Sequence, residues 1–181
     1  MLYEIIIAGF GGQGILSAGR LLVHAGLLEG RNVSWLPSYG PEMRGGTANC
    51  HVIISDGPIG SPIIDKADVL IAMTLPALQK FGKVLKPGGM AIVDADMIGE
   101  KDVPTDRKTF RLNATSISPN KNYAYMVLIG KLIKETGLVR PDSIEHILHS
   151  MLPESKRGMI ADEMKILKIG MEDNNGIKTE Q

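Results

Sequence analysis

From Tyr3 the chain becomes apolar without interruption through Ile5-Ile6-Ile7-Ala8. A strand buried on both faces reads this way, as the strands of parallel sheets do. Ile15, Leu16, Ala18, Leu21, Leu22 and Ala25 then recur at the helical period through Leu28, and Gly30 supplies a stop. Val33 to Leu36 is a second strand. Together these make a strand–glycine loop–helix–strand unit, the opening of a doubly wound sheet. Ala48 to Ser55 is a further strand, ended by Asp56-Gly57-Pro58. Val69 to Met73 is another buried run, and Pro76 opens a short helix through Phe81. Lys86-Pro87-Gly88-Gly89 reads as a turn before a strand at Met90 to Val93.

Asp94 to Thr109 reads as polar loop and Phe110 to Leu112 as a last strand. Ser118-Pro119 has the form of a helix start, Ser as N-cap and Pro in the first turn. Tyr123 to Ile133 is apolar nearly all round, which describes a helix buried in a core or partly by a partner, and Gly137 stops it. Pro141-Asp142 opens another helix that ends near Pro153, and Gly158 to Met171 is a last amphipathic one. The expected architecture is a single α/β domain over residues 1–173, with a polar tail at 174–181. Its sheet is expected to be doubly wound, mainly parallel and Rossmann-like, with helices on both faces and the first strand in its interior. The strand after Gly46 follows a short loop rather than a helix, so it is expected to run antiparallel.

Composition narrows the function classes. The 181 residues carry 20 Lys+Arg against 20 Asp+Glu, which gives no electrostatic footprint for nucleic acid or an anionic membrane. Cys50 is the only cysteine, so neither an internal disulfide nor a site of several thiolates can form within the chain. No apolar run approaches the roughly 20 residues of a membrane helix, and Met1-Leu2-Tyr3-Glu4 lacks a basic leader region. These features predict a cytoplasmic chain. His24 is expected to be packed, Cys50 to be a buried small hydrophobe, and His51, His146 and His149 show no metal-ligand spacing.

Gly9, Gly11 and Gly14 satisfy G-x-G-x-x-G between a strand and a helix. Such a loop lets backbone approach an anion, and the helix start supplies open N–H groups. A dinucleotide site would also need an acidic residue about 20 positions on, at the end of the second strand. That strand ends Trp35-Leu36-Pro37-Ser38, so the motif is incomplete. Tight strand-to-helix packing is the competing account of the glycines. Gln13 is the residue that packing explains least, because its amide has donors and an acceptor to offer a ligand or partner chain.

The second loop, Ser38-Tyr39-Gly40-Pro41-Glu42-Met43-Arg44-Gly45-Gly46, leaves the carboxyl end of the second strand, on the edge expected to hold the glycine loop. Arg44 beside Gly45-Gly46 can present a planar fork to a carboxylate or phosphate, or pair with Glu42 and shape the loop. The candidate contact residues are Gly11, Gly12, Gln13, Gly14, Tyr39, Arg44, Gly45 and Gly46. No residue stands out as catalytic or as a metal ligand.

Gly9-Phe10-Gly11-Gly12-Gln13-Gly14-Ile15-Leu16, followed by Tyr39-Gly40-Pro41-Glu42-Met43-Arg44-Gly45-Gly46, resembles the gamma subunit of 2-oxoacid:ferredoxin oxidoreductases. Ala48 to Ser55, Ala67 to Ala72, Leu85 to Gly89 and Met126 to Gly137 continue the likeness. Pro41-Glu42-Met43-Arg44-Gly45-Gly46-Thr47 looks most like the 2-oxoglutarate branch. Pyruvate, 2-oxoisovalerate and indolepyruvate forms are the alternatives. The resemblance implies oxidative decarboxylation of a 2-oxoacid to an acyl-CoA, with electrons passed to ferredoxin. It implies thiamine diphosphate and 4Fe–4S clusters in partner subunits, with coenzyme A as co-substrate. The partners implied are alpha and beta subunits, with a ferredoxin-like delta subunit as an optional fourth. A stand-alone NAD(P)-binding oxidoreductase and a scaffold without ligand contacts are the other readings.

Overall fold

A computed structural model describes residues 1–39, 47–104 and 106–172. Its centre is a six-stranded sheet built from β1 (Leu2–Phe10), β2 (Asn32–Tyr39), β3 (Thr47–Ser55), β4 (Ala67–Ala72), β5 (Leu85–Asp94) and β6 (Lys108–Leu112). The spatial order is β2-β3-β1-β4-β5-β6. Strand β3 runs antiparallel to both β1 and β2, while β1, β4, β5 and β6 pair in parallel. The apolar run Ile5-Ile6-Ile7 is interior and buried on both faces, and the strand after Gly46 is the antiparallel one.

One face of the sheet is covered by α1 (Ile15–Leu28), α4 (Ala124–Thr136), α5 (Pro141–Met151) and α6 (Ile160–Glu172). Ile5, Ile7, Val52, Ile54, Val69 and Ile71 point into that layer. The alternate residues Ile6, Ala8, Ile53, Leu70 and Ala72 face the other side, where α2 (Leu75–Phe81) supplies Ala77 and Leu78 and nearby loops supply Ile64 and Ile98. A period-2 strand thus serves two cores, and this requires apolar residues on both faces.

The first crossover departs from the simple unit expected. Strand β2 does not lie beside β1, because β3 is inserted between them. Helix α1 therefore bridges β3 as well, and it gets close by means of glycine. A Cβ at Gly19 would lie 2.6 Å from Cys50 Sγ, and one at Gly26 would lie 3.2 Å from Ile54. Residues 86–89 belong to β5 rather than to a turn. Two steps along β4 match five along β5, so the excess bulges out, with Gly88 at φ 78°. The expected helix start at Ser118 is instead a helix end. The short α3 (Ala114–Ile117) stops there, Ser118 Oγ donates to Asn120 O at 2.5 Å, and a 3-10 turn at Lys121–Tyr123 leads into α4. Asn120 takes the role that was read for Ser118, its side chain accepting from Asn122 N at 3.0 Å. Pro76 does lie in the first turn of α2, capped by Thr74, and Gly137 ends α4 in the left-handed region at φ 61°. The tail from 173 onward lies outside the described residues.

Candidate functional site

The chain leaves β1 by way of α1 toward β2, and leaves β4 by way of α2 toward β5. These connections depart in opposite directions and lie on opposite faces. The gap between the carboxyl ends of β1 and β4 is therefore the topological switch point, where open α/β sheets hold ligands. Gly11 to Gly14 occupy it. Met73, just past β4, donates its N–H to Ala8 O at 2.9 Å and closes the floor of the crevice.

Gln13 shapes this loop. Its Oε1 accepts from Phe10 N at 2.7 Å, and a Cβ at Gly9 would lie 2.5 Å from that same oxygen. Gly9 is thus required so that the amide can fold back over the strand end. The sequence reading of Gln13 as a side chain with its acceptor on offer is corrected: the acceptor is used inside the loop. Gly12 and Gly14 sit at φ 90° and 79°. Gly12 is exposed, and nothing lies within 4 Å of where its Cβ would be. Gly14 is crowded: a Cβ there would lie 2.6 Å from Tyr125 Cε1 and 3.0 Å from Asn122 O. Gly14 also caps α1, whose first turn has no side-chain cap and no acidic residue. The amide N–H groups of that turn thus have no side-chain cap at the carboxyl edge, and the turn itself carries no negative charge.

The ends of the second loop come to the same place. Phe10 is in register with Thr47 and Tyr39 with Ala48, so the segment joining β2 to β3 starts and finishes beside the glycine loop. Arg44, Gly45, Gly46 and Glu42 lie outside the described residues, as does the side chain of Tyr39.

Two clusters of this molecule carried no signal in the sequence. At the carboxyl end of β5, buried Asp94 accepts from Thr115 Oγ1 at 2.5 Å and from Asp96 N at 3.1 Å. Asp96 accepts from Ser116 N at 2.7 Å and Asn113 Nδ2 at 2.8 Å. Burial pushes the Asp94 carboxyl up. It opposes ionisation of Asp96 too, but the bonds from Asn113 and Ser116 outweigh it and bring that carboxyl down. The pair braces the start of α3. The second cluster surrounds Glu163, in the first turn of α6, buried near Tyr123 and Tyr125.

Other sequence candidates resolve simply. His24 is exposed on α1, not packed. Burial pushes the His51 imidazole down, and its Nδ1 accepts from Ile64 N at 3.1 Å. Cys50 is buried under α1, its Sγ 3.6 Å from Ile15 O, and burial pushes the thiol up to about 12. Such a thiol neither attacks nor ligates readily. Among the described residues, no group of three or more His, Cys, Asp or Glu could hold a metal ion. No helix among them is long and apolar enough to cross a membrane.

The family profile of the pyruvate ferredoxin/flavodoxin oxidoreductases matches residues 4–173, which takes in every strand and helix described above apart from the first two residues of β1. The chain belongs to that family. It is 39% identical over 160 residues to the 2-oxoglutarate synthase subunit KorC of Methanothermobacter thermautotrophicus, covering 83% of this chain and 85% of that one. It is 51% identical over 92 residues to the ketoisovalerate oxidoreductase subunit VorA of the same organism. That match takes in 51% of this chain but only 19% of VorA, so the chain spans about a fifth of that relative's length. Among solved structures, the gamma subunit of a keto/oxoacid ferredoxin oxidoreductase from Geobacter sulfurreducens superposes with a TM-score of 0.80 at 31% identity, covering 95% of both chains. The fold of that gamma subunit is thus present in this chain.

Proposed function

We propose that this chain is the gamma subunit of a 2-oxoacid:ferredoxin oxidoreductase, with 2-oxoglutarate as the first substrate to test. The likeness to KorC over most of both chains supports that substrate. In this reading the chain works with alpha and beta subunits and passes no electrons itself. The 4Fe–4S clusters do not fit its residues. A cluster needs several thiolates, whereas Cys50 is single, buried and held protonated. In this reading the clusters and thiamine diphosphate belong to the partner subunits.

The observation that carries the reading is the glycine loop at the switch point, with open N–H groups and no acidic residue in the first turn of α1. In the working enzyme this edge receives an anionic group. Gly11, Gly12 and Gly14 give the backbone access, and Tyr39, Arg44, Gly45 and Gly46 are the contacts expected from the second loop. Coenzyme A phosphate suits it, and the guanidinium of Arg44 would add a bidentate contact. A nicotinamide dinucleotide suits it less. Its ribose is read at the end of the second strand, which here lies two strands from β1, about 10 Å away, and ends without a carboxylate.

Reconstitution tests this reading. The chain alone should be inactive with 2-oxoacid, coenzyme A and an electron acceptor, and should support turnover with its partner subunits. Arg44→Lys should raise KM for coenzyme A several-fold while size-exclusion chromatography shows an intact complex, because lysine cannot reproduce the fork. Weakened assembly with unchanged KM would instead assign Arg44 to a subunit contact. Wild-type behaviour of both Arg44→Lys and Arg44→Ala would remove Arg44 from the site.

A further inference from the structure

Glu163 is 2% exposed, and among the described residues neither of its carboxylate oxygens has a hydrogen-bond partner or meets solvent. A lone carboxyl in that position is costly when charged. Its surroundings do not relieve it. Tyr123, in the 3-10 turn before α4, and Tyr125, on α4, are the titratable groups that feel its charge. Both phenols are pushed up, by burial first and then by Glu163. The Tyr123 hydroxyl is directed to Met159 Sδ at 3.7 Å. The charged groups of the packed elements are engaged elsewhere. On α6, Lys165 pairs with Asp162 at 3.3 Å, and in the preceding turn Arg157 pairs with Glu154 at 3.7 Å. On α4, Lys131 pairs with Glu135 at 3.0 Å. Lys156, Lys134, Lys168 and Glu172 are exposed, as are Asp142, Glu145, His146 and His149 of α5.

Two turns farther along α6 the packing changes character. A Cβ at Gly170 would fall on the carbonyl oxygen of Val127, and one at Gly130 on the carbonyl oxygen of Leu167. The two helices therefore meet backbone to backbone there and cannot part without losing the whole crossing. The first turn of α6, around Glu163, has no such lock. Across α4 from it, the Tyr125 ring presses on Gly14, the cap of α1 and the last residue of the glycine loop.

We propose that Glu163 is a proton-operated latch between α6 and the glycine loop. With the proton on, the first turn of α6 closes on Tyr123 and Tyr125, and Tyr125 supports Gly14. With the proton off, the charge draws that turn away from the start of α4 and toward water, and Gly14 loses its support. Burial raises the carboxyl from an ordinary 4.5 to about 6, so the open-to-closed ratio can change by about thirtyfold across that interval. The latch needs no ligand. Its consequence for anion contact rests on the reading of the glycine loop given above.

Hydrogen–deuterium exchange of the full chain from about pH 5 to 8, corrected for intrinsic exchange, tests the latch. In the wild type, residues 160–166, 121–126 and 12–17 should lose protection by up to about eightfold over that range as pH rises, while β1 and β4 stay unchanged. In Glu163→Gln and Glu163→Leu the same segments should be flat with pH. A flat wild type, or equal slopes in the variants, overturns the proposal. A slope in 160–166 and 121–126 without one in 12–17 overturns the coupling to the loop. Should the variants fold poorly, carboxyl carbon NMR of the wild type decides. A Glu163 midpoint near 6 supports the latch, and an ordinary glutamate midpoint overturns it. A latch that responds while coenzyme A kinetics ignore Arg44 and Gly12 overturns the contact reading alone.

Discussion

Glycine serves two opposite purposes in this molecule. At the α4–α6 crossing, Gly130 and Gly170 have no conformational peculiarity, and each is needed because a carbonyl of the other helix occupies the space of its missing side chain. At the end of β1 the reverse holds for Gly12, whose φ of 90° requires glycine while no described residue fills the space beside it. Filled space marks packing inside the chain. Open space at a left-handed residue marks a backbone conformation, and at Gly12 it lies on the carboxyl edge proposed above to receive a ligand or partner. Gly14 combines the two, with φ 79° on one side and Tyr125 on the other, and so joins the core to the loop.

This contrast can be broken most forcefully at the crossing. Gly130→Val or Gly170→Val should cost about 3 kcal/mol or more, because backbone must move against backbone. Thermal melts measure it, and a variant within about 0.5 kcal/mol of wild type would show that the helices can separate freely. Gly14→Ala should cost about 2 kcal/mol, through left-handed strain and the contact with Tyr125. Tyr125→Leu should lower that cost by relieving the crowding, so a double-mutant cycle separates strain from contact.

Glu163 sharpens the contrast through pH. Its folded-state carboxyl sits at about 6 against 4.5, so its favourable protonated state is fully present below 4.5 and lost as pH rises through 6. The loss amounts to about 2 kcal/mol. Glu29 and Glu135 act in the opposite sense. Burial opposes their ionisation, but hydrogen bonds to Arg140 and Ser143 for Glu29, and to Lys131 and Lys108 for Glu135, bring them down. Their stabilisation is present above the ordinary glutamate range and lost in acid. The difference between wild type and Glu163→Gln in chemical denaturation therefore isolates the Glu163 contribution, and a difference constant with pH would remove it.

Gly12→Val carries the smallest stability effect, about 1 kcal/mol of backbone strain, and the largest expected functional one. It should impair coenzyme A kinetics or subunit assembly at least tenfold while the melting temperature falls little. Wild-type turnover and assembly in that variant would leave the loop with packing alone to explain it.

Much of this was legible along the chain, for identifiable reasons. Strands that are buried on both faces must be apolar throughout, so Ile5 to Ala8 and Val69 to Ala72 announce themselves. Caps and stops rest on neighbours in sequence, so Pro76, Gly30 and Gly137 could be read in place. The glycine loop was visible because its spacing is local. Ser118 misled because Ser-Pro fits a helix start, whereas its hydroxyl bonds onward to Asn120 and the helix begins after a 3-10 turn. Lys86 to Gly89 misled because a bulge within a strand uses the same residues as a turn.

The sequence alone determined the fold class, the interior place of β1, the antiparallel sense of β3 and the loop that faces the carboxyl edge. Each follows from local pattern: period, breaker residues and the length of a connection. Only the tertiary structure decided that β3 stands between β1 and β2, that Gln13 is folded back onto Phe10, that Gly130 and Gly170 face the backbone of the opposite helix, and that Glu163 is buried without a partner. Those facts depend on which residues meet from distant parts of the chain. Glu163 sits among Asp162, Lys165 and other polar residues in sequence and reads there as one more solvated charge. Only the packing of α6 on α4 takes water away from it.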